Sequence, residues 1–178
     1  MNPKLAVLAK TALVTAAAFS LFSFYSKNVP YSLVWNRTPS IPMGVYLAEE
    51  VSPGQLIRGD LACFTYEPAA WALERKYFPV GVLLCKPVMG VAGDTVQRDG
   101  NKLVITSAGT KQPKVLGEYT QTDSARRPLP QDALTPGTIP ENAFLMVAGA
   151  HANSLDSRYL GLIPAAQIKR RIHPLYTW

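Results

Sequence analysis

Thr95-Val96-Gln97-Arg98-Asp99-Gly100-Asn101-Lys102-Leu103-Val104-Ile105 is the stretch that decides the class of fold. Two short runs rich in strand-forming residues flank Asp99-Gly100-Asn101, residue types that accept the positive φ of a tight turn. The spacing predicts an antiparallel hairpin. Upstream, residues 82–91 read as a further strand. The same rhythm of short apolar runs between turn residues places strands at 45–48, 61–66, 143–148 and 167–173. Residues 69–77 read as a short helix between strands, and 107–140, rich in Gly, Pro, Thr and Gln, as an irregular excursion. With 15 prolines and 12 glycines in 178 residues, turns and short strands are expected over long helices. The length suits one core-bearing domain, mostly β, and no internal repeat is visible.

One segment departs from that rhythm. Residues 5–25, LAVLAKTALVTAAAFSLFSFY, form a long apolar run broken only by Lys10, with 16 uncharged residues between Lys10 and Lys27. A bilayer span takes about 20 residues, so a transmembrane helix here requires Lys10 to snorkel its ammonium into the headgroups. Lys4 and Lys10 precede the apolar core, which keeps the N-terminus inside and sends the rest of the chain across. Phe22, Phe24 and Tyr25 stand where interfacial aromatics do. The expected division is a cytoplasmic tip and anchor over 1–27 and a periplasmic domain over 28–178, at a bacterial inner membrane. Cleavage as a signal peptide at Ala16-Ala17-Ala18 is the alternative.

The net charge of +6 raises nucleic acid as a partner. The basic residues are scattered, however, with only Lys169-Arg170-Arg171 as a run, and a nucleic-acid stripe would gather them on one face. A surface tolerant of anionic lipid fits better, so the bilayer and not nucleic acid is the expected partner. Cys63 and Cys85 form no C-x-x-C motif, and His151 and His173 have no ligand spacing around them, so no metal site is expected.

Three segments carry candidate chemistry. In Asn36-Arg37-Thr38-Pro39-Ser40-Ile41-Pro42-Met43-Gly44-Val45-Tyr46, prolines at 39 and 42 fix the backbone around Ser40. Taken alone, the segment reads equally as a proline-rich linker. In Leu83-Leu84-Cys85-Lys86-Pro87-Val88-Met89-Gly90-Val91-Ala92-Gly93-Asp94, a lysine interrupts an apolar strand. Burying an ammonium is costly, and that cost lowers its pKa towards the value a general base needs. An edge-strand lysine facing water is the competing reading. In Gly149-Ala150-His151-Ala152-Asn153-Ser154-Leu155-Asp156-Ser157-Arg158-Tyr159-Leu160-Gly161, Asp156 and Arg158 share a face if extended and can pair. The alternative is a surface turn with a weak ion pair.

In this order after an apolar N-terminal segment, the three segments resemble the type I signal peptidase family, and within it the conjugation-transfer, TraF-type branch. Ser-Ile-Pro-Met-Gly-Val-Tyr from Ser40 looks like its serine box. Lys-Pro-Val-Met-Gly-Val-Ala-Gly-Asp from Lys86 looks like its lysine box, and residues 153–161 like its C-terminal box. The resemblance implies Ser40 as nucleophile and Lys86 as general base. It implies Thr38 beside the Ser40 amide in the oxyanion hole, Ser154 as the hydroxyl that orients the lysine amine, and Asp156 with Arg158 as a supporting pair. Pro87 and Ala92 depart from the family pattern. So does Ala150, which stands where an acidic residue is usual and leaves Arg158 expected to have fewer partners.

The implied fold is an antiparallel β catalytic domain with one N-terminal transmembrane helix. The strand of Cys63 would lie near the strand of Cys85, making the two a possible disulfide. The implied activity is a metal- and cofactor-free Ser/Lys endopeptidase acting on a membrane-bound precursor. The expected substrate is a conjugative pilin precursor, either trimmed only or trimmed and closed head-to-tail; the alternative is a secretory protein bearing a signal peptide. Two other readings carry less: a sortase-like enzyme using Cys85, His151 and Arg158, whose residue order is wrong, and a non-catalytic component of a conjugation or secretion channel.

Overall fold

A computed structural model describes residues 3–28 and 30–178, and the chain divides at Ser32/Leu33 into two compact units. The first unit holds α1 (Pro3–Asn28), a 26-residue helix whose apolar residues do not gather on one face. Val7, Leu13, Val14, Phe19 and Phe24 are all exposed, whereas the side chains of Phe22 and Tyr25 lie outside those described. Among the described residues no helix is long and apolar enough to cross a membrane. The transmembrane helix expected above therefore rests on sequence alone. Lys10 is the physical obstacle, because the 16 uncharged residues after it fall short of a span.

The second unit is built almost wholly of antiparallel strands, as the hairpin signal requires. They are β1 (Tyr31–Asn36, which begins just before the division), β2 (Gly44–Glu50), β3 (Leu61–Thr65), β4 (Leu83–Gly90), β5 (Thr95–Asp99) and β6 (Lys102–Thr106). Then come β7 (Pro113–Glu118), β8 (Gly137–Thr138), β9 (Ala143–Met146), β10 (Ile163–Pro164) and β11 (Ile168–Thr177). Two short helices interrupt them, α2 (Ala70–Arg75) and α3 (Ser157–Leu160). A seven-stranded sheet runs β1-β2-β11-β3-β4-β9-β10, and a four-stranded sheet runs β7-β6-β5-β8.

The β5–β6 hairpin forms in the register its turn dictates, with Asp99 opposite Lys102. Other expectations need correction. Residues 107–140 are not wholly irregular, since β7 pairs along β6 and β8 along β5. A two-residue strand and a strand opening on Pro113 give too short an alternation to stand out in sequence. The last strand runs on to Thr177, and β1 lies in a segment that carried no strand assignment.

Alternation along β4 sets up the site. Leu84, Lys86, Val88 and Gly90 face one way and are buried, while Cys85 faces the other way. Leu84 and Val88 belong to a core with Ala62, Phe64, Phe144 and Met146. Cys63 and Cys85 belong to a separate cluster with Ile41, Tyr46 and Ala48. In the β3–β4 register Cys63 stands opposite Cys85, and the two are joined by a disulfide. At Gly90 a Cβ would press on Ile105, Ile139 and Leu145, so the absent side chain is what lets β6 and β9 close over the end of β4.

Candidate active site

Ser40 sits in the loop between β1 and β2, and a single side chain holds that loop in shape. Asn36, the last residue of β1, donates from Nδ2 to the carbonyls of Thr38 (2.8 Å), Ile41 (3.1 Å) and Pro42 (3.0 Å). Its Oδ1 accepts from the Thr38 amide (3.2 Å) and hydroxyl (3.0 Å). The buried Tyr46 donates its hydroxyl to Pro42 O at 2.6 Å. Prolines at 39 and 42 leave the loop short of backbone donors, and the Asn36 amide supplies what the backbone cannot. Gly44 ends the loop at φ +151°, and any Cβ there would strike the backbone of Tyr176 and Thr177. The result is a rigid hairpin presenting Ser40 half-buried at its tip.

Lys86 meets Ser40 from β4. Its Nζ donates to Ser40 Oγ at 2.8 Å. The strand lies between β3 and β9, and the residue is 6% exposed, which removes the edge-strand reading. Lys86 shares its face with Leu84 and Val88 and stands opposite Ala62. Burial among apolar neighbours pulls its pKa down to about 8; the Asp156 carboxylate opposes that fall and the Arg158 guanidinium adds to it.

Asp156 and Arg158 form the floor behind this pair. Only Asp156 is extended; the chain turns helical at Ser157, so the pair does not form across one face of a strand as the shared-face argument supposed. Asp156 caps α3, its Oδ1 accepting from the Arg158 amide at 3.2 Å, and Arg158 lies in the helix. Both residues are fully buried, and Arg158 reaches Asp156 through Nε (2.9 Å to Oδ1) and Nη2 (2.9 Å to Oδ2). The surface-turn reading therefore fails.

Arg158 is also not short of partners. Its Nη1 donates to Glu118 O (2.6 Å) and its Nη2 to His151 O (3.0 Å), so backbone carbonyls serve where the acidic side chain is missing. Asp156 Oδ2 also takes the Ala148 amide at 3.0 Å. The pair thus fixes the loop of residues 149–155 against β7 and β9. Gly149 permits the approach, since a Cβ there would run into the Leu116 carbonyl.

Two expected contacts are not formed. The Ser154 hydroxyl is buried and has no hydrogen-bond partner among the described residues, Lys86 included. The Thr38 hydroxyl is turned to Asn36. His151 Nδ1 is likewise buried without a partner among the described residues. A cleft of about 430 Å³ runs past all of these groups, lined by Asn36–Ser40, Leu83–Lys86, His151 and Ser154 among others. It brings Ser40, Lys86, Thr38 and Ser154 to one place, and Cys85 of the disulfide is among its lining residues although its side chain points to the other face of β4 from Lys86. Among the described residues no cluster could hold a metal ion. Asn36 and Tyr46 went unrecognised in the sequence. Asn-x-Thr before a proline is an Asx-turn signal that pointed to the first of them.

The chain can be set beside known proteins at this point. Residues 5–177 match the family described as signal peptidase, peptidase S26. The chain is 28% identical over 156 residues to the plasmid transfer protein TraF of Escherichia coli, covering 86% of this chain and 80% of that protein.

Proposed function

Because the chain belongs to the signal peptidase family, peptidase S26, we propose that it is a serine endopeptidase in which Ser40 attacks and Lys86 serves as general base. The observation that carries the reading is the 2.8 Å contact between Lys86 Nζ and Ser40 Oγ inside a desolvated strand. With a pKa near 8, a useful fraction of Lys86 is the neutral amine at neutral pH. That amine accepts the Ser40 proton as Oγ bonds to the scissile carbonyl carbon. The oxyanion takes the Ser40 amide and the Thr38 hydroxyl, once the latter swings from Asn36. Lys86 then returns the proton to the departing amine, leaving an ester on Ser40. Water or another amine, deprotonated by the same lysine, releases it. Ser154, whose hydroxyl does not bond Lys86 in this structure, steadies the amine only once that hydroxyl turns to it.

The similarity to a plasmid transfer protein supports a precursor handled in conjugation as the substrate, of which a pilin precursor is the simplest case. The apolar stretch 5–25 supports an anchor at the inner membrane that leaves the catalytic unit in the periplasm, with Lys10 drawn to the headgroups. Fusion of reporters to the C-terminus tests the topology, and a working cytoplasmic reporter overturns it.

Activity is tested by incubating the full chain in detergent with a candidate pilin precursor and reading product mass. Ser40→Ala and Lys86→Ala should each abolish processing. Processing by Lys86→Ala above a tenth of wild type would remove Lys86 as base. A product one water lighter than the trimmed chain would reveal head-to-tail closure.

A further inference from the structure

Behind the Ser154 wall of the catalytic cleft lies a second cavity of about 160 Å³, the size of protein cavities that hold benzene. The two share Phe78, Asn153, Ser154 and Leu155 as lining. Tyr77, Leu129 and Tyr159 complete its apolar sides. Exposed Ser124, Ala152 and Asn153 stand at its rim, so the space opens to the surface and is not a sealed packing defect.

Its polar groups are almost all spoken for. The Tyr159 hydroxyl accepts from the Thr120 amide at 2.8 Å and lies 3.0 Å from the Thr120 hydroxyl. Asp123 accepts from the Tyr77 hydroxyl, from the Arg127 guanidinium (2.7 Å) and from the amides of Ala125 and Arg127 (each 2.9 Å). The Tyr77 hydrogen bond foremost, with those from Arg127, holds its carboxyl well below the usual carboxylate range despite the opposing effect of burial. With Arg75 3.8 Å away as well, this carboxylate has no charge left for a cationic ligand. Among the described residues one buried polar atom of the lining remains unused: the Ser154 hydroxyl, on a residue 4% exposed, without a hydrogen-bond partner.

We propose that this cavity is a substrate subsite that receives one neutral side chain of leucine or phenylalanine size from the peptide held in the catalytic cleft. The inference rests on the peptidase reading of that cleft. An extended peptide advances about 3.3 Å per residue, so crossing the one loop that separates the cavities brings in a residue within about three of the scissile bond. Apolar and aromatic walls favour a hydrocarbon side chain. Arg75 and Arg127, clustered on Asp123, repel a basic one, and an acidic one would exchange its full hydration for the Ser154 hydroxyl alone among the buried polar groups, which does not offset the loss.

The test uses the full chain in detergent and internally quenched peptides that carry alanine throughout, with Leu, Phe, Arg or Asp placed at one position at a time. Cleavage by wild type and binding to the Ser40→Ala protein are both read. At one position within three of the cut, Leu and Phe should raise kcat/KM and tighten binding about tenfold over Ala. Arg and Asp should give no gain. Ala152→Trp at the rim, and independently Leu129→Trp in the wall, should erase that preference, read as the ratio to the all-alanine peptide measured on the same variant.

No apolar preference at any position, or a preference that survives both variants, overturns the subsite. A preference in binding without Ser40-dependent cleavage would keep the subsite and overturn the peptidase reading instead.

Discussion

Lys86→Met should stabilise the protein while destroying its activity, and the size of the effect follows from the structure. The lysine titrates near 10.5 when solvated and near 8 where it sits, a fall of roughly 2.5 units caused mainly by burial. At 1.36 kcal/mol per unit, holding the charged form in the fold costs about 3 kcal/mol. Because the folded pKa lies below the unfolded one, the unfolded chain binds more protons between about pH 8 and 10.5. Stability of the wild type therefore rises with pH across that window, and below it the cost is present in full. Methionine matches the stem, carries no charge and has no such slope. Urea unfolding of both proteins, followed by tryptophan fluorescence in the same detergent, reads the difference. Lys86→Met should be more stable by up to about 3 kcal/mol at pH 6.5, with the gain shrinking steadily towards pH 10.5. The Ser40 hydroxyl loses its partner in the variant, but it lies half-exposed in an open cleft where water replaces the amine. A variant less stable than wild type at pH 6.5, or a gain independent of pH, would refute the claim that Lys86 is held against the cost of its own charge.

The remaining predictions test the groups around that lysine. The pH–rate profile of processing should show an acid limb with its midpoint near pH 8, set by loss of the Lys86 proton, and activity should fall below it. Lys86→Arg should be inactive throughout the accessible range, since a guanidinium does not give up its proton. Asn36→Ala removes five hydrogen bonds from the Ser40 loop and should lower kcat by at least tenfold with a smaller change in KM, measured on any cleaved peptide. Arg158→Met strands the Asp156 carboxylate in the core and should cost about 3–5 kcal/mol in the same urea assay. Reducing the Cys63–Cys85 bond, which closes a 22-residue separation, should cost about 3 kcal/mol but leave the chemistry intact, because both sulfurs lie on the face of β4 away from Lys86.

How far the sequence carried these expectations depended on the range of the forces concerned. The β5–β6 hairpin was legible because Asp99-Gly100 states its turn within a few residues. The strand of Lys86 was legible because an apolar run bounded by turn residues can be read locally. β1 was not, because Tyr31, Leu33 and Trp35 alternate outward and stay exposed, so its burial pattern gives no core-facing signal. β7 and β8 hid in the Gly/Pro-rich segment because their pairing is dictated by the edges of β6 and β5 and not by their own residues. Ser40, Lys86, Asp156 and Arg158 were picked out by residue type and order. What brings them together are contacts between distant segments, 46 residues apart for Lys86 with Ser40 and 40 for Arg158 with Glu118, and no local pattern encodes those.

Arg158 shows why that remainder matters. Read locally, losing an acidic residue at position 150 weakened its case. In the fold it is fully buried and bonded through Nε, Nη1 and Nη2. A buried ion pair is seldom a net source of stability, and an apolar pair of the same shape would serve as well for packing alone. An apolar pair could not, however, take up the Ala148 amide and the Glu118 and His151 carbonyls together. Those three groups belong to the turn just after β9, to the end of β7 and to the loop that carries Ser154. Nor would it leave a carboxylate whose field opposes the fall in the Lys86 pKa while the guanidinium beside it deepens that fall. The pair therefore does two jobs at once. It holds the Ser154 loop against the rest of the unit, and its two charges act in opposite directions on a Lys86 pKa that burial brings down to about 8, the range that the proposed general base needs.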